Sequence, residues 1–454
     1  MIVRQERFAG PIDLPTPTAR RADVSAAAAR AARAPRGRAT RQALDNLLAQ
    51  GAIDQPTHDA RMASINHALG AYRKLSGTRR AEIGAVIDNA DQMAATHTLT
   101  PSRLPAVFET IDANTEWWTT GPLLSSGKRV SVGDSPLIFQ YYAGQGIELQ
   151  MLANWGKVNG FFQGHETSKL QDLVEALVPL AADRGGWPAW EYYFHFGGGA
   201  PPWTSAISQG TAIQGLARAG QRLRDQSLWD LGRRALAAFQ TPPPLGVRED
   251  TPTGPFYLIY SYAPNQLVIN ADLQALVGLF DFGKAVGDPT AQTLFQQGDG
   301  EAQTVLPRYD TGHWSLYDQT TESDLNYHQL VTGFLENLCK RTSTPIYCDT
   351  AQRFNSYMKQ APYVTPATAT IRAGARAKLA FTLDKVSTVR ITVSRGGRTV
   401  FATSAVFGRG RHFFTWSRPV RAGSYTLTLR ATDLAGNHSP IKSRSLRILV
   451  ARKG

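Results

Sequence analysis

The chain has 454 residues, of which 42% are apolar and 19% are charged, and its formal net charge is +13. This length predicts about two to four domains, and the apolar content excludes a disordered or fibrous protein. No uninterrupted apolar run reaches the ~20 residues that span a bilayer, so a membrane-spanning protein is not expected.

The positive charge is concentrated at the two ends of the chain. Residues 1–41 hold nine basic and three acidic side chains, and residues 363–454 hold 17 basic and two acidic side chains. The middle, residues 42–362, holds eight more acidic than basic side chains. A mildly acidic central body has the wrong sign for a nucleic-acid groove, so nucleic acid is not an expected partner.

The first 41 residues are rich in Arg, Ala, Pro and Thr and lack a sustained apolar pattern. We interpret them as a flexible basic leader. No apolar stretch behind the first residues has the form of a signal peptide, which taken literally indicates the cytoplasm. A misassigned start or a trimmed mature form is the alternative.

The middle of the chain shows a predominantly helical period. In one segment, apolar residues from Leu170 to Leu180 follow a capping-box start at Ser168. Gly185 is the expected stop of that helix. Many helices joined by Gly/Pro/aromatic loops predict an all-α repeat or toroid with a site built from its loops. Further helices are expected near residues 41–53, 57–75, 78–95, 146–160, 206–223, 227–239, 267–284, 289–305, 326–341 and 349–359.

The two cysteines, Cys339 and Cys348, flank a segment with Pro345 and several Ser and Thr residues. This pattern favours a disulfide that closes a helix–loop–helix link, with two unrelated buried thiols as the alternative. No nearby His or second Cys pair has zinc-site spacing, so no metal is expected. A disulfide implies export to an oxidising compartment, hence a secreted or cell-surface protein, which conflicts with the missing signal peptide.

After Pro362 the apolar period changes from helical to two. Apolar residues alternate with polar ones around Phe381, Ile391 and Leu427, and a Gly396-Gly397 pair indicates a hairpin. The region from 363 to 454 is therefore predicted to be a small all-β sandwich, and its last part resembles bacterial extracellular Ig-like modules. Its basic excess is interpreted as a solvated surface, or alternatively as adhesion to an anionic polysaccharide or cell wall.

Tyrosine is concentrated in the loop-like segments of the middle region. Ten of the 15 tyrosines lie between residues 141 and 327. A single tyrosine is expected to pack in the core with its hydroxyl bonded, but this group is typical of a carbohydrate site. Such sites need flat rings to stack on sugars and hydroxyls to bond them. No HExxH, P-loop, GxSxG or convincing GxGxxG motif is present, so no metal or nucleotide cofactor is expected.

Five sequence blocks resemble the C-terminal catalytic region of D-glucuronyl C5-epimerases, and together they cover roughly residues 135–360. The resemblance implies an α/α toroid-type helical domain over residues 42–362. It also implies an isomerase that removes the C5 proton of a hexuronate in an acidic polysaccharide and returns a proton from the opposite face. The oligomeric state stays open, with a dimer among the options. The blocks are YYAGQGIELQMLANWGKVNG (141–160), PPWTSAISQGTAIQGLARA (201–219), LVINADLQALVGLFDF (267–282), LPRYDTGHWSLYD (306–318) and YHQLVTGFLENL (327–338).

The resemblance also implies which residues form the site. Tyr317 is implied as an acid/base, and Tyr327 as a second acid/base or an orienting group. Tyr260 and Asn270 are implied to hold the uronate. Further candidates for the sugar cleft are Tyr141 or Tyr142, between which the sequence does not choose, Trp203, Gln209, Asp310 and His328.

The chemistry of the implied reaction explains these residue types. The C5 hydrogen is α to a carboxylate, and its removal places further negative charge on that group, so the site must supply donors to it. It must also place one acid/base on each face of the sugar ring. A tyrosine with its ordinary pKa of about 10 is well suited as an acid, and positive charge or hydrogen bonding must lower that pKa before it serves as a base. Outside this chemistry, Asp310 is expected to lock a turn and His328 to be a hydrogen-bonded core histidine.

Two positions depart from the animal epimerases. Ile259 stands where they have a glutamate, and Thr320 stands where they have an arginine. Glu322 or Asp324 could replace the lost carboxylate, and Arg308 could replace the lost cation.

Three other functions stay open at this point. The same carbanion would collapse by β-elimination in a uronate polysaccharide lyase. The loss of the glutamate at Ile259 and of the arginine at Thr320 would suit a non-catalytic carbohydrate-binding envelope protein on a degenerate epimerase scaffold. A glycoside hydrolase is the least favoured, because it normally needs two carboxylates across the scissile bond.

Overall fold

The computed structural model describes residues 34–373, 376–417 and 421–450. The predicted basic leader covers residues 1–41, and its residues 1–33 lie outside the described part of the chain. The first helix begins at Arg38, inside the range predicted as leader. In these described residues, no helix has both the length and the apolar character needed to cross a membrane.

The chain divides into two compact units, Met1–Thr304 and Val305–Gly454. The predicted domain boundaries at 41/42 and 362/363 stay predictions. The predicted class, mainly α followed by a small all-β sandwich, is confirmed by the order of the elements. The helices are α1 Arg38–Ala49, α2 Gln55–Lys74, α3 Gly77–Ala95, α4 Leu104–Thr120, α5 Met151–Gln163, α6 Thr167–Leu177, α7 Ala206–Leu223, α8 Gln226–Ala235, α9 Ile269–Val286, α10 Pro289–Val305, α11 Leu325–Thr342 and α12 Pro345–Tyr357.

The loops of the first unit contain short β-strands. A three-stranded antiparallel sheet has the order β1-β2-β3, and two hairpins pair β4 with β5 and β6 with β7. The strands are β1 Arg129–Val130, β2 Phe139–Tyr142, β3 Gly146–Leu149, β4 Ala182–Asp183, β5 Pro188–Ala189, β6 Arg248–Thr251 and β7 Gly254–Tyr257.

Three local expectations were wrong. Residues 146–149, expected to open a helix, form strand β3, and the helix begins only at Met151. Helix α6 begins at Thr167 without a side-chain cap and ends at Leu177, so neither the capping box nor the stop at Gly185 is observed. Helix α4 was not predicted, because buried polar residues such as Thr110 and Asn114 interrupt its apolar stripe.

Helix α7 is the most enclosed helix of the site region, with 14 of its 18 residues buried. It packs against α5, α8 and α9. Gln274 near the start of α9 bonds Thr211 near the start of α7 at 3.1 Å, and further along Arg218 bonds Asp281 at 3.2 Å. The second contact lies closer to the C-terminus than the first in both helices, so α7 and α9 run parallel. Their N-terminal loops consequently lie at the same end.

The second unit opens with α11 and α12, which are linked by the Cys339–Cys348 disulfide. Eight strands follow, and they form a three-stranded sheet (β13-β10-β8) and a five-stranded sheet (β12-β11-β14-β15-β9). The apolar residues predicted to alternate inward are buried in one core shared by both sheets. The strands are β8 Val364–Pro366, β9 Thr370–Arg372, β10 Ala377–Leu383, β11 Ser387–Arg395, β12 Arg398–Phe407, β13 Gly410–Trp416, β14 Gly423–Asp433 and β15 Lys442–Leu449.

The predicted hairpin at Gly396-Gly397 joins β11 to β12. Both glycines have positive φ, 52° and 80°, which is the backbone conformation that a tight hairpin turn requires. The described part of the sandwich contains a buried ion pair, in which Lys385 lies 2.6 Å from Asp433. The other acidic residue of the sandwich, Asp384, accepts the backbone N–H of Tyr363 at 2.8 Å. Both acidic side chains of the predicted sandwich therefore have internal partners, while most of its basic side chains are exposed.

Candidate active site

One face of the β1-β2-β3 sheet in the first unit is unusually polar. Arg129 of β1 lies opposite Gln140 of β2, and Gln140 lies opposite Glu148 of β3. Cross-strand partners share a face, and so do residues two apart along a strand. Tyr142 follows Gln140 by two positions in β2 and so belongs to the same face. Gln150, which directly follows β3, joins the set through its hydrogen bond to the hydroxyl of Tyr142. We call this set the polar face.

The strand geometry separates Tyr141 from Tyr142. Tyr141 points to the opposite side of the sheet, where its hydroxyl donates to Glu82 at 2.7 Å. The same carboxylate accepts the N–H groups of Gly144 and Gly146, so it locks the β2–β3 turn. Tyr141 is 4% exposed, whereas Tyr142 is half-buried. This geometry favours Tyr142 as the substrate-facing member of the pair.

Hydrogen bonds tie the polar face together. Arg129 donates its Nε–H to Gln140 at 3.0 Å. Gln150 donates to the hydroxyl of Tyr142 at 2.7 Å and accepts from the hydroxyl of Tyr192 at 3.0 Å. Burial raises the pKa values of Tyr142 and Tyr192, that of Tyr192 to about 12, and the charge of Arg129 acts in the opposite direction. Both phenols are consequently protonated donors at neutral pH.

Glu148 is an acidic side chain in an environment that does not solvate its charge. It is 2% exposed, and its Oε1 atom has no hydrogen-bond partner among the described residues. Burial raises the pKa of Glu148 well above its ordinary value. The polar face therefore holds a carboxyl group whose burial favours the uncharged form.

This burial predicts a pH-dependent cost in stability. Between the unfolded and the raised folded pKa, the folded state binds one more proton, so stability should fall as pH rises by about 1.4 kcal/mol per pH unit. The Glu148→Gln variant, which stays neutral, should gain stability relative to the wild type as the pH rises from 5 to 7. Urea unfolding at pH 5, 6 and 7 would measure the difference. Exposed Glu116→Gln is the matched control, and an equal pH dependence in Glu148→Gln and the wild type would contradict this prediction.

Aromatic rings extend from the polar face across the neighbouring loops. Tyr142 lies 4.6 Å from Phe194, measured between ring centroids, and Tyr192 stacks on Trp203 at 4.3 Å. Trp203 in turn contacts Tyr260 at 5.7 Å. Three members of the group, including Tyr142, are half-buried and within reach of solvent. This aromatic cluster consists of Tyr142, Tyr192, Phe194, Phe196, Trp203, Tyr260 and Tyr262.

The loops at the starts of α7 and α9 position the other predicted residues of the first unit. The N–H of Ser261 bonds the carbonyl of Thr204 at 3.0 Å, which holds the Tyr260 loop beside the start of α7. Asn270 lies in the first turn of α9 and is 1% exposed. Gln209 is fully buried and donates its amide to the carbonyl of Trp190 and the hydroxyl of Thr204, both at 2.8 Å. These contacts fit a positioning role for Gln209 rather than direct contact with a sugar.

In the second unit, Tyr317 and Tyr327 form a pair. Their rings meet edge to face with centroids 4.6 Å apart, and they are 2% and 5% exposed. The backbone N–H of Tyr317 bonds Thr321 at 2.8 Å, and Asp318 accepts the N–H of Thr321 at 2.7 Å. Tyr317 thus lies on a locked turn, and Tyr327 lies in the first turn of α11.

His328 and Asp310 have the structural surroundings expected from the sequence, a hydrogen-bonded core histidine and a turn-locking carboxylate. His328 is fully buried and stacks on Trp314 at 3.8 Å, and its Nε2 contacts the carbonyl of Phe354 at 2.9 Å. Burial lowers the pKa of His328 to about 4, so it is neutral at physiological pH. Asp310 accepts the N–H of Gly312 and the Nε–H of Arg353, each at 2.9 Å. Both residues stabilise the loop that carries Tyr317.

The acidic residues suggested as replacements for the lost glutamate are engaged elsewhere. Glu322 accepts the backbone N–H groups of Val386 at 3.1 Å and Arg409 at 2.6 Å. Asp324 caps helix α11 through the N–H of Tyr327. These two suggestions were wrong, because both carboxylates satisfy backbone donors. Arg308, suggested as the replacement cation, is exposed on the surface.

The sequence interpretation did not single out Arg129, Gln140, Glu148 or Gln150, and it included Tyr192 only as one of the ten tyrosines. A signal was available in the segment from Gly146 to Gln150, where apolar and polar residues alternate as in a strand. The helix that follows directly hid this alternation. In the described residues, no group of three or more His, Cys, Asp or Glu side chains could hold a metal ion.

Comparison with known families identifies one region of the chain. Residues 183–356 match the family model of the D-glucuronyl C5-epimerase C-terminus. This match includes Tyr317 and Tyr327 and most of the aromatic cluster. The resemblance read from the sequence blocks is confirmed over this range.

Two curated proteins share part of the sequence. D-glucuronyl C5-epimerase of Caenorhabditis elegans is 32% identical over 158 residues, which is 31% of this chain and 26% of that protein. An uncharacterised protein of Methanocaldococcus jannaschii is 28% identical over 137 residues, which is 28% of this chain and 44% of that protein. The chain thus spans less than half the length of either relative. Among solved structures, a GH76 alpha-mannanase of Bacteroides thetaiotaomicron aligns with a TM-score of 0.35 and 11% identity, over 46% of this chain and 59% of that chain.

Proposed function

We propose that this chain is a C5-epimerase-like enzyme that acts on hexuronate residues of an acidic polysaccharide. The observation that carries the proposal is the match of residues 183–356 to the epimerase C-terminus, together with the buried Tyr317–Tyr327 pair inside that match. The aromatic cluster supports a carbohydrate substrate, because its half-buried rings offer flat surfaces for sugar faces.

The proposed reaction is an exchange of one proton at C5. A tyrosinate oxygen takes the C5 proton, and the electron pair of the broken C–H bond moves onto the carboxylate as an enediolate. A second tyrosine then donates its O–H proton to C5 from the opposite face, which inverts the sugar. One tyrosine has gained a proton and the other has lost one, and exchange with solvent restores both. We assign one of these roles to Tyr317, and Tyr327, which packs edge to face against it, is proposed as the second acid/base or as an orienting group.

Substrate binding is assigned to the residues that the family resemblance implies. Tyr260 and Asn270 are proposed to hold the uronate, with Trp203 as a stacking surface beside Tyr260. Tyr142 is proposed in place of Tyr141, whose hydroxyl is committed to Glu82. Secretion or display at the cell surface is part of the same proposal, since the Cys339–Cys348 disulfide is typical of oxidising compartments.

Solvent exchange tests the proposed function. The full chain would be incubated with a panel of glucuronate- and iduronate-containing polymers in deuterated buffer. We expect the H5 proton signal to disappear and the inverted sugar to accumulate, without the absorbance of a 4,5-unsaturated uronate. Absorbance of the unsaturated product would instead assign a lyase. Tight binding without exchange on any polymer of the panel would contradict catalysis and favour a binding protein.

A further inference from the structure

The polar face holds one cationic side chain, the half-buried guanidinium of Arg129. Its acidic member, Glu148, is 2% exposed, and this burial raises its pKa and so favours the uncharged form. The remaining members are amides and a phenol, which donate hydrogen bonds without adding charge. A guanidinium in such surroundings lacks the hydration it has in water, and burial accordingly lowers the pKa of Arg129. An anion that binds here would compensate this loss.

The position of the face suits a sugar carboxylate. Arg129 and Tyr142 are half-buried, so a ligand can reach them, whereas Gln140 and Glu148 lie below them in the core. A guanidinium forms strong, oriented hydrogen bonds with a carboxylate. Tyr142 belongs to both the polar face and the aromatic cluster, so an anionic group on Arg129 would place its sugar ring beside flat aromatic surfaces.

We propose that the polar face is the binding site for the carboxylate of a hexuronate residue, with Arg129 as its cationic partner and the hydroxyl of Tyr142 as a second donor. This site rests on the proposed function, because its ligand is a residue of the same acidic polysaccharide. Gln140 holds the guanidinium of Arg129, and Gln150 holds the hydroxyl of Tyr142. The burial of Glu148 opposes a negative charge on the same face.

Binding measurements on the full chain would test the site without requiring turnover. Isothermal titration with a uronate oligosaccharide would compare the wild type with Arg129→Gln, Arg129→Lys and Tyr142→Phe. We expect Arg129→Gln to weaken binding about tenfold or more, Arg129→Lys to recover part of it, and Tyr142→Phe to weaken it less. Exposed Arg73→Gln, which makes the same charge change on α2, should bind like the wild type. Thermal melting would establish that each variant is folded.

The second binding measurement uses an oligosaccharide with the same backbone in which the carboxyl groups have been reduced. Its binding should be weak and equal in the wild type and Arg129→Gln, because the group that Arg129 recognises is gone. A sulfated, carboxyl-reduced oligosaccharide whose binding depends on Arg129 would assign the site to sulfate and overturn a carboxylate site. Equal uronate binding by folded Arg129→Gln and the wild type would also overturn it, as would a loss found in Arg308→Gln instead.

The two proposals can fail separately. If the wild type binds the uronate oligosaccharide through Arg129 but never exchanges H5, the site stands and the epimerase function fails. If the wild type exchanges H5 and Arg129→Gln binds and exchanges equally well, the function stands and the site fails.

Discussion

The Tyr317→Phe variant should lose at least about 100-fold in the rate of H5 exchange, because general acid–base catalysis contributes roughly 10²–10⁴-fold. The substitution removes only the hydroxyl that is proposed to carry the proton. Phenylalanine keeps the ring that packs edge to face on Tyr327, so the fold should persist. The measurement is the loss of the H5 signal in deuterated buffer, on the polymer that the wild type turns over.

A matched control separates the lost hydroxyl from general damage. Tyr363 is 56% exposed in the same unit, so Tyr363→Phe makes the same chemical change at a solvent-facing position and should keep the wild-type rate. Circular dichroism and thermal melting would establish that Tyr317→Phe is folded. A folded Tyr317→Phe variant with wild-type exchange would remove Tyr317 from the acid/base role.

The second large effect is expected at Glu191, which is fully buried between two arginines. Its carboxylate accepts two hydrogen bonds from Arg103, at 2.7 and 3.0 Å, and another from Arg184. Arg184 also donates to the carbonyls of Pro244 and Leu245 and so fixes the loop that contains them. Glu191 neutralises the charge of this arginine. Breaking a buried pair by removing one partner typically costs about 3–5 kcal/mol. We expect Glu191→Gln to lower the free energy of unfolding by this amount.

Urea unfolding of the full chain, followed by tryptophan fluorescence, would measure this loss. Glu175→Gln on the exposed side of α6 removes an equal charge where solvent compensates it, and it should change stability by less than about 0.5 kcal/mol. If Glu191→Gln unfolds at the same urea concentration as Glu175→Gln, the buried network contributes no net stability. Because Glu191 adjoins Tyr192 and Tyr193 in the chain, its loss should also disturb the aromatic cluster.

Local periodicity was sufficient for much of the fold. The alternation around Phe381, Ile391 and Leu427 predicted strands, because inward and outward positions of a strand must alternate when one face is buried. The Gly396-Gly397 pair predicted its hairpin, because few other residues adopt two successive positive φ angles. These features depend on neighbouring residues alone, so the sequence contains all the information that they need.

The sequence blocks likewise indicated the family region and its tyrosines, but they left the choice between Tyr141 and Tyr142 open. Adjacent residues of a strand point to opposite faces, and both are tyrosines, so composition cannot distinguish them. The register of β2 against β1 and β3 distinguishes their surroundings, because it places Tyr142 on the same face as Arg129 and Glu148 and Tyr141 on the other.

For the carboxylates as well, the sequence supplies candidates, and only the tertiary structure shows which groups they bond. Any Asp or Glu near the tyrosines is a candidate in the sequence, yet Glu322 bonds backbone donors in the turn between β12 and β13 and just before β11, and Asp324 caps a helix. Glu148 was overlooked because its alternation with Ile147 and Leu149 runs directly into α5. The sequence by itself therefore determined most of the element types, the sandwich and the tyrosine-rich region, because these follow from local pattern. Only the tertiary structure decided which polar side chains are committed to the backbone and which form the polar face, since that depends on contacts between segments distant in the chain.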